Sequence, residues 1–187
     1  IDIKGIGSLE FDSSGNLWAG TSYGLYKIAS RSRGSIEPAG SEITGFFHEP
    51  SDPNSIAANF ITFIHRDIEG NMWFGTYGNG ICRLDHSNNF KGRYLFENYN
   101  QADGLANNVV FGILGDNNGN IWISTDYGLS CFNKGDKSFK NYYTTDGLKN
   151  NQYYWSACHK NREGKLYFGG TNGLNTFFPD SLQNETA

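Results

Sequence analysis

Short, mostly apolar runs, each closed by a turn rich in Gly, Asn and Asp, follow one another along the chain; Phe60-Ile-Thr-Phe-Ile64, Met72-Trp-Phe74 and Val109-Val-Phe-Gly-Ile113 are examples. No segment keeps apolar residues at the 3.6-residue period for even three turns, so the pattern predicts short strands rather than helices. Several runs, Met72-Trp-Phe74 among them, are apolar at consecutive positions. An alternating run would leave one face wet, whereas two apolar faces call for a sheet covered on both sides.

The runs recur in register. Asp12-Ser-Ser-Gly15-Asn-Leu-Trp18-Ala-Gly-Thr21-Ser-Tyr-Gly24-Leu25 returns as Asp67-Ile-Glu-Gly70-Asn-Met-Trp73-Phe-Gly-Thr76-Tyr-Gly-Asn-Gly80-Ile81. It returns again as Asp116-Asn-Asn-Gly119-Asn-Ile-Trp122-Ile-Ser-Thr125-Asp-Tyr-Gly128-Leu129, and as Asn161-Arg-Glu-Gly164-Lys-Leu-Tyr167-Phe-Gly-Gly170-Thr-Asn-Gly173-Leu174. The second copy carries one extra residue before Gly80. A second block links the copies. Phe96-Glu-Asn-Tyr99 precedes Asp103-Gly-Leu105-Ala-Asn-Asn108, and Phe139-Lys-Asn-Tyr142 precedes Asp146-Gly-Leu148-Lys-Asn-Asn151 at the same spacing; Ile43-Thr-Gly-Phe46 with Asn54-Ser-Ile56-Ala-Ala-Asn59 is a looser version.

Each piece has a physical reading. Asp-x-x-Gly is a tight turn, with Asp bonding nearby amides and Gly free to take positive φ. Asn-Leu-Trp-x-Gly-Thr is a strand of β-formers, and the next Gly turns the chain back into a third. The runs before each Asp supply first strands, and stretches such as Phe139–Tyr143 supply fourth strands. Four antiparallel strands per repeat make one blade of a β-propeller, so the chain reads as all-β with about four blades, approximately 1–50, 51–102, 103–145 and 146–180. Residues 1–180 form a partial β-propeller and 181–187 a linker toward a following domain. Ser30–Ser41 is a polar excursion within the first blade, and Pro179 ends the last strand. The final blade holds only three strands, so its fourth must come from elsewhere.

The resemblance carried by these copies is to the regulator-propeller repeat of two-component systems, whose form is Asn-Ser-(apolar)-x-x-Ile-x-x-Asp-x-x-Gly-Asn-Leu-Trp-Ile-Gly-Thr-x-x-Gly-Leu. Residues Asn54 to Ile81, Asn107 to Leu129 and Asn150 to Leu174 match it, and Asp12 to Leu25 matches its second half. Phe168-Gly-Gly-Thr-Asn-Gly173-Leu-Asn-Thr-Phe-Phe-Pro179 resembles the last blade before the immunoglobulin-like domain of Bacteroides-type hybrid two-component sensors. The resemblance implies a seven-bladed ring, a periplasmic location in an inner-membrane receptor, and a role in sensing glycan-derived oligosaccharides. It implies as partners the remaining blades and the immunoglobulin-like domain. Tyr167 for Trp, Gly170 for Thr and the insertion at Gly80 depart from the pattern.

Composition narrows the picture. The net charge of −4 gives no basic face for a nucleic acid. The apolar runs are too short to span a membrane, so no direct membrane insertion by this segment is expected. Cys82, Cys131 and Cys158 are too few and too scattered for a disulfide framework or a zinc site, and His48, His65, His86 and His159 show no ligand spacing; no metal and no cofactor are expected. No nucleophile motif occurs, and the segment is read as not an enzyme. The alternatives are a propeller lyase, a glycan-cleaving enzyme or a plain protein-interaction scaffold.

Trp18, Trp73, Trp122 and Tyr167, like the turn glycines Gly15, Gly70, Gly119 and Gly164, recur at one position per repeat and are read as packing residues. Residues that break the repeat are the ligand candidates. Gln152, Tyr153, Tyr154 and Trp155, with His159 nearby, replace an aliphatic first strand; aromatic faces stack on sugar C–H surfaces and amides bond hydroxyls. Tyr127 with Asp126, in the loop after a second strand as are Tyr23 and Tyr77, form a second set. An open arc of blades would expose Phe11 and Trp18 at one end and Tyr167, Phe168 and Phe177 at the other, with an open strand edge. That predicts a homodimer, or stability only within a longer parent.

Overall fold

The computed structural model describes residues 3–29, 42–84 and 94–183; the excursion at 30–41 lies outside them. Its strands form four separate antiparallel sheets. The first holds β1 (Ile6–Phe11), β2 (Leu17–Thr21), β3 (Leu25–Ile28) and β4 (Ile43–Phe46), and the second β5 (Ile61–Arg66), β6 (Met72–Thr76), β7 (Ile81–Leu84) and β8 (Phe96–Tyr99). The third holds β9 (Val110–Gly115), β10 (Ile121–Thr125), β11 (Leu129–Asn133) and β12 (Ser138–Tyr142). The last has three strands, β13 (Tyr153–Lys160), β14 (Leu166–Gly170) and β15 (Gly173–Phe177). A short helix α1 (Pro179–Gln183) follows, so the expected linker opens inside a helical turn; residues 184–187 lie outside the described set. Among the described residues no helix is long and apolar enough to cross a membrane.

One carboxylate organises each of the first three repeats. Asp67 Oδ1 accepts from the amides of Glu69 and Asn71, while Oδ2 accepts from Asn71 Nδ2 and from the indole Nε1 of Trp73 at 3.0 Å. Asp12 and Asp116 bind their own turns, and the indoles of Trp18 and Trp122, in the same way. The motif Asp-x-x-Gly-Asn-x-Trp is therefore a clamp that pins a turn and an indole with two oxygens.

The last copy shows why three residues change together. Asn161 Oδ1 still accepts from the amides of Glu163 and Lys165. Its second group is an NH2, which cannot accept from an indole. Tyr167 supplies a hydroxyl instead, and Asn161 Nδ2 reaches it at 3.5 Å, a long contact. Lys165 replaces the Asn whose amide would also have needed an acceptor.

The indoles point forward, from each sheet onto the next. Trp18 packs on Phe74 of the second sheet (ring centroids 5.5 Å apart), Trp73 on Phe132 of the third (5.5 Å) and Trp122 on Phe177 of the last (4.8 Å). All three are essentially inaccessible to solvent. Gly20 and Gly75 make room for the next first strand: a Cβ there would lie 2.6 Å from Ile61 Cγ2 and 2.7 Å from Val110 Cγ1.

The expected exposure at the ends is corrected in part. Phe11 is half-exposed, but Trp18, Phe168 and Phe177 are buried, because they belong to the faces turned toward the neighbouring sheets. The outer face of the first sheet instead shows Leu9 and Phe11, with Phe47 just past β4. Tyr167, with no following sheet among the described residues, is half-buried.

Candidate functional site

The first strands β1, β5, β9 and β13 stand side by side in that order. Each carries a bulge near its start. In β5 the register steps from Ile61–Thr76 to Phe63–Gly75, and in β9 from Val110–Thr125 to Gly112–Ser124, one extra residue each. In β13 the step is far larger: from Tyr153 to Cys158 the strand advances five residues while β14 advances two, from Gly170 to Phe168. Ser156 takes φ 53°, left-handed for a non-glycine residue, within this loop of extra chain. The excess throws Tyr154 (59% exposed) and Trp155 (45%) out of the sheet.

Trp155 lands among aromatics from two other sheets. Its ring lies 5.7 Å from Tyr77 at an interplanar angle of 14°, 5.6 Å from Phe60 and 5.3 Å from Phe111. Phe60 and Tyr77 also stack, at 5.4 Å and 27°. Phe111 is buried and forms the floor; the other three keep exposed faces. Tyr77 is held by its amide bonding to the Phe60 carbonyl, which ties the loop after β6 to the start of β5.

That loop, Tyr77–Gly80, is the one with the extra residue. Gly78 and Gly80 both donate to the Asn108 carbonyl, and Asn79 Nδ2 donates to the Ala57 carbonyl at 2.8 Å. Asn79 thereby faces a cavity of about 410 Å³ lined also by His48, Asp52, Asn98, Asn100 and Asn108. One loop thus presents Tyr77 to the aromatic cluster and Asn79 to an amide-lined hollow.

The residues singled out from the sequence are not all brought together. Gln152 and Tyr154 are exposed beside Trp155. Tyr153 is buried and unavailable to a ligand: its hydroxyl accepts from Asn175 Nδ2 and its ring packs on Phe168. His159 lies beyond the bulge, paired with Tyr167. Tyr127 packs against Tyr143 with the rings tilted by 40°, and the Asp126 amide is bound to the Val109 carbonyl. Phe60, Phe111 and Asn79 were not singled out; the insertion before Gly80 was the signal that could have found the loop. Gly170 for Thr is also explained. A Cβ there would lie 1.8 Å from Asn150 Oδ1, so the buried Asn150 amide occupies the space of the threonine side chain.

At the opposite end of the first strands, the Gly115 amide donates to His65 Nε2 at 2.9 Å and Lys160 Nζ to the Gly115 carbonyl at 2.9 Å, so three sheets meet at one residue. Burial pushes the His65 pKa down to about 4, leaving the ring neutral and free to accept. Lys134 bridges Asp67 and Glu69 at 3.1 and 2.9 Å, tying the third sheet to the turn of the second.

Residues 55–78 and 104–127 match the two-component regulator propeller family. Over 175 residues, 94% of this chain, the sequence is 29% identical to a histidine kinase designated P4 of Formosa agariphila, of which the match spans 12%. The fold superposes on the extracellular domain of a hybrid two-component system from B. thetaiotaomicron with a TM-score of 0.79 and 28% identity, covering 97% of this chain and 23% of that one. It also superposes on PorZ, a surface component of the type-IX secretion system of Porphyromonas gingivalis, with a TM-score of 0.69; at 16% identity, covering 92% of this chain and 26% of that one, this shows the fold alone. The chain therefore spans only a small part of each of these three proteins. It carries the two-component regulator propeller repeat, and through that repeat it is related to the extracellular domains of hybrid two-component systems.

Proposed function

We propose that this chain is a ligand-sensing segment in the periplasmic part of a membrane-anchored two-component receptor, and that its ligand is a glycan-derived oligosaccharide. The remaining blades and an immunoglobulin-like domain complete that part of the receptor. The reading is carried by the enlarged bulge of β13. It holds Trp155 against Tyr77 and Phe60, with exposed faces, where β5 and β9 have a single bulged residue. Such rings accept the C–H faces of a sugar, and the amide-lined hollow behind Asn79 offers donors and acceptors to its hydroxyls. The role is recognition without turnover.

Calorimetry of the 187-residue chain with a panel of glycan-derived oligosaccharides tests this. Binding by at least one oligosaccharide is expected, weakened about tenfold or more in Trp155→Ala at an unchanged melting temperature. Undiminished binding in the variant removes Trp155 from the site. Cleavage products found by chromatography of the titrated mixture would favour the enzyme reading instead.

A further inference from the structure

At the end of the first strands away from Trp155 a cavity of about 540 Å³ opens, a size that admits a small ligand. Its wall includes Ser13, His65, Arg66, Ile68, Gly115 and Lys160, so all four sheets or their turns contribute. The aromatic cluster around Trp155 contributes none of it.

The carboxylates that border this cavity have their oxygens filled. Asp67 accepts from the Glu69 and Asn71 amides, Asn71 Nδ2, Trp73 Nε1 and Lys134 Nζ. Asp116 accepts from two amides of its own turn, Asn120 Nδ2 and Trp122 Nε1. Glu69 is held by Lys134 and Asn71. The donors are in the opposite condition. Arg66 is exposed, and its guanidinium has no acceptor among the described residues. Lys160 gives one of its three hydrogens to the Gly115 carbonyl and keeps two. His65 adds another donor. A backbone amide only donates, so Nε2, which accepts from Gly115, carries the lone pair. The hydrogen of the neutral ring therefore sits on Nδ1, where no described residue accepts it. Arg66 and Lys160 both stand close enough to His65 to disfavour a charge on its ring, which places the three donors in one neighbourhood. Donors without acceptors thus gather at one end of the channel, while every bordering carboxylate is already engaged.

We propose that this cavity is a second ligand site, separate from the aromatic one, and that it takes the oxyanion of a small ligand: a carboxylate, sulfate or phosphate group bound by Arg66, Lys160 and the Nδ1 hydrogen of His65. The planar fork of Arg66 matches two oxygens of such a group, and charge-assisted bonds from Arg66 and Lys160 supply the affinity. His65 supplies direction, because its ring is fixed by the Gly115 amide from the neighbouring sheet. The site stands whether or not Trp155 binds sugar.

The test titrates the nitrogen-15-labelled 187-residue chain with sodium sulfate, sodium phosphate or sodium glucuronate, with glucose as the neutral control and sodium chloride holding the ionic strength. The Gly115 amide and the His65 ring nitrogens are followed by NMR. A saturable shift at both is expected with at least one oxyanion, and the relative affinities separate a tetrahedral group from a carboxylate. Arg66→Ala should weaken binding about tenfold. Arg66→Lys, which keeps the charge and loses the fork, should weaken it about threefold. Arg66 is exposed, so neither variant should lower the melting temperature. Four results overturn the proposal: no saturable shift with any of the three oxyanions, an equal shift with glucose, a shift that chloride alone reproduces, or binding unchanged in Arg66→Ala.

Discussion

Replacing Asp67 by Asn removes one oxygen from the best-connected turn in the molecule. The side chain is 1% exposed. Its Oδ1 partners, the Glu69 and Asn71 amides, survive the change. At Oδ2 an NH2 would instead meet three donors: Asn71 Nδ2, Trp73 Nε1 and Lys134 Nζ. Asn71 and Lys134 each retain Glu69, at 3.2 and 2.9 Å, but the indole of fully buried Trp73 is orphaned. An orphaned buried donor costs about 1–3 kcal/mol and each lost charge-assisted bond about 1.5–3, so a total loss of about 3–5 kcal/mol is expected. That is a large part of a typical domain stability of about 5–15 kcal/mol. Asp12→Asn, which orphans Trp18 without a lysine at its turn, should cost less, about 2 kcal/mol. Urea unfolding followed by intrinsic fluorescence measures both. A loss under about 1 kcal/mol in Asp67→Asn, with native fluorescence, would show that the carboxylate does not clamp the indole. The acid limb offers a second reading. Burial alone would raise the Asp67 pKa, but the bonds from Trp73, Asn71 and Lys134 outweigh it and hold the carboxyl below 3.8. The resulting stability is present above 3.8 and is lost as the pH falls through the folded value, a loss that the Asn variant should not show.

Other outcomes follow from single contacts. His65 takes a proton near pH 4 in the folded chain and near 6.5 when unfolded, so stability should fall by about 3 kcal/mol as the pH drops across that window. His65→Gln, which keeps an acceptor for the Gly115 amide, should flatten melting temperature against pH; an unchanged slope refutes the assignment. Gly80→Ala puts a Cβ 2.2 Å from the Tyr99 carbonyl at φ 77° and should cost about 3 kcal/mol, whereas Gly78→Ala, with open space around it, should cost about 1. Burial pushes the thiols of Cys82, Cys131 and Cys158 up to about 12, so none should react with iodoacetamide at pH 8 until denaturant is added. Rapid native labelling of Cys82 would contradict the packing between the first two sheets.

The repeat was legible because its chemistry is local: a carboxylate, a turn glycine and an indole stand within seven residues in three copies, and the fourth keeps the spacing with Asn161, Gly164 and Tyr167. The direction in which each indole points was not legible. Trp18 was expected at an open end and is instead covered by Phe46 and Phe74, because nothing in the sequence says which face of a two-sided apolar strand meets the next sheet. The site divides in the same way. Trp155 stood out as a break in the repeat, but Tyr153 and Tyr154 looked equivalent beside it. The bulge decides between them, burying one and releasing the other, and bulges depend on pairing with β14. Phe60 and Tyr77 come from one repeat and Phe111 from the next, and they meet Trp155 only once the sheets stack.

The forward-pointing indoles give the molecule a polarity that its near-identical sheets conceal. Trp18, Trp73 and Trp122 each sit on the sheet that follows, and Trp155 lies apart, so four fluorophores report four distinct places. Loss of a sheet from the carboxyl end would bare an indole and redden the emission. Loss from the amino end would remove one and leave a receiving surface such as Phe74 uncovered, with little change in colour. Emission wavelength therefore distinguishes truncation at the two ends, and unfolding that advances sheet by sheet, as nearest-neighbour coupling requires, can be followed through the natural tryptophans without added labels.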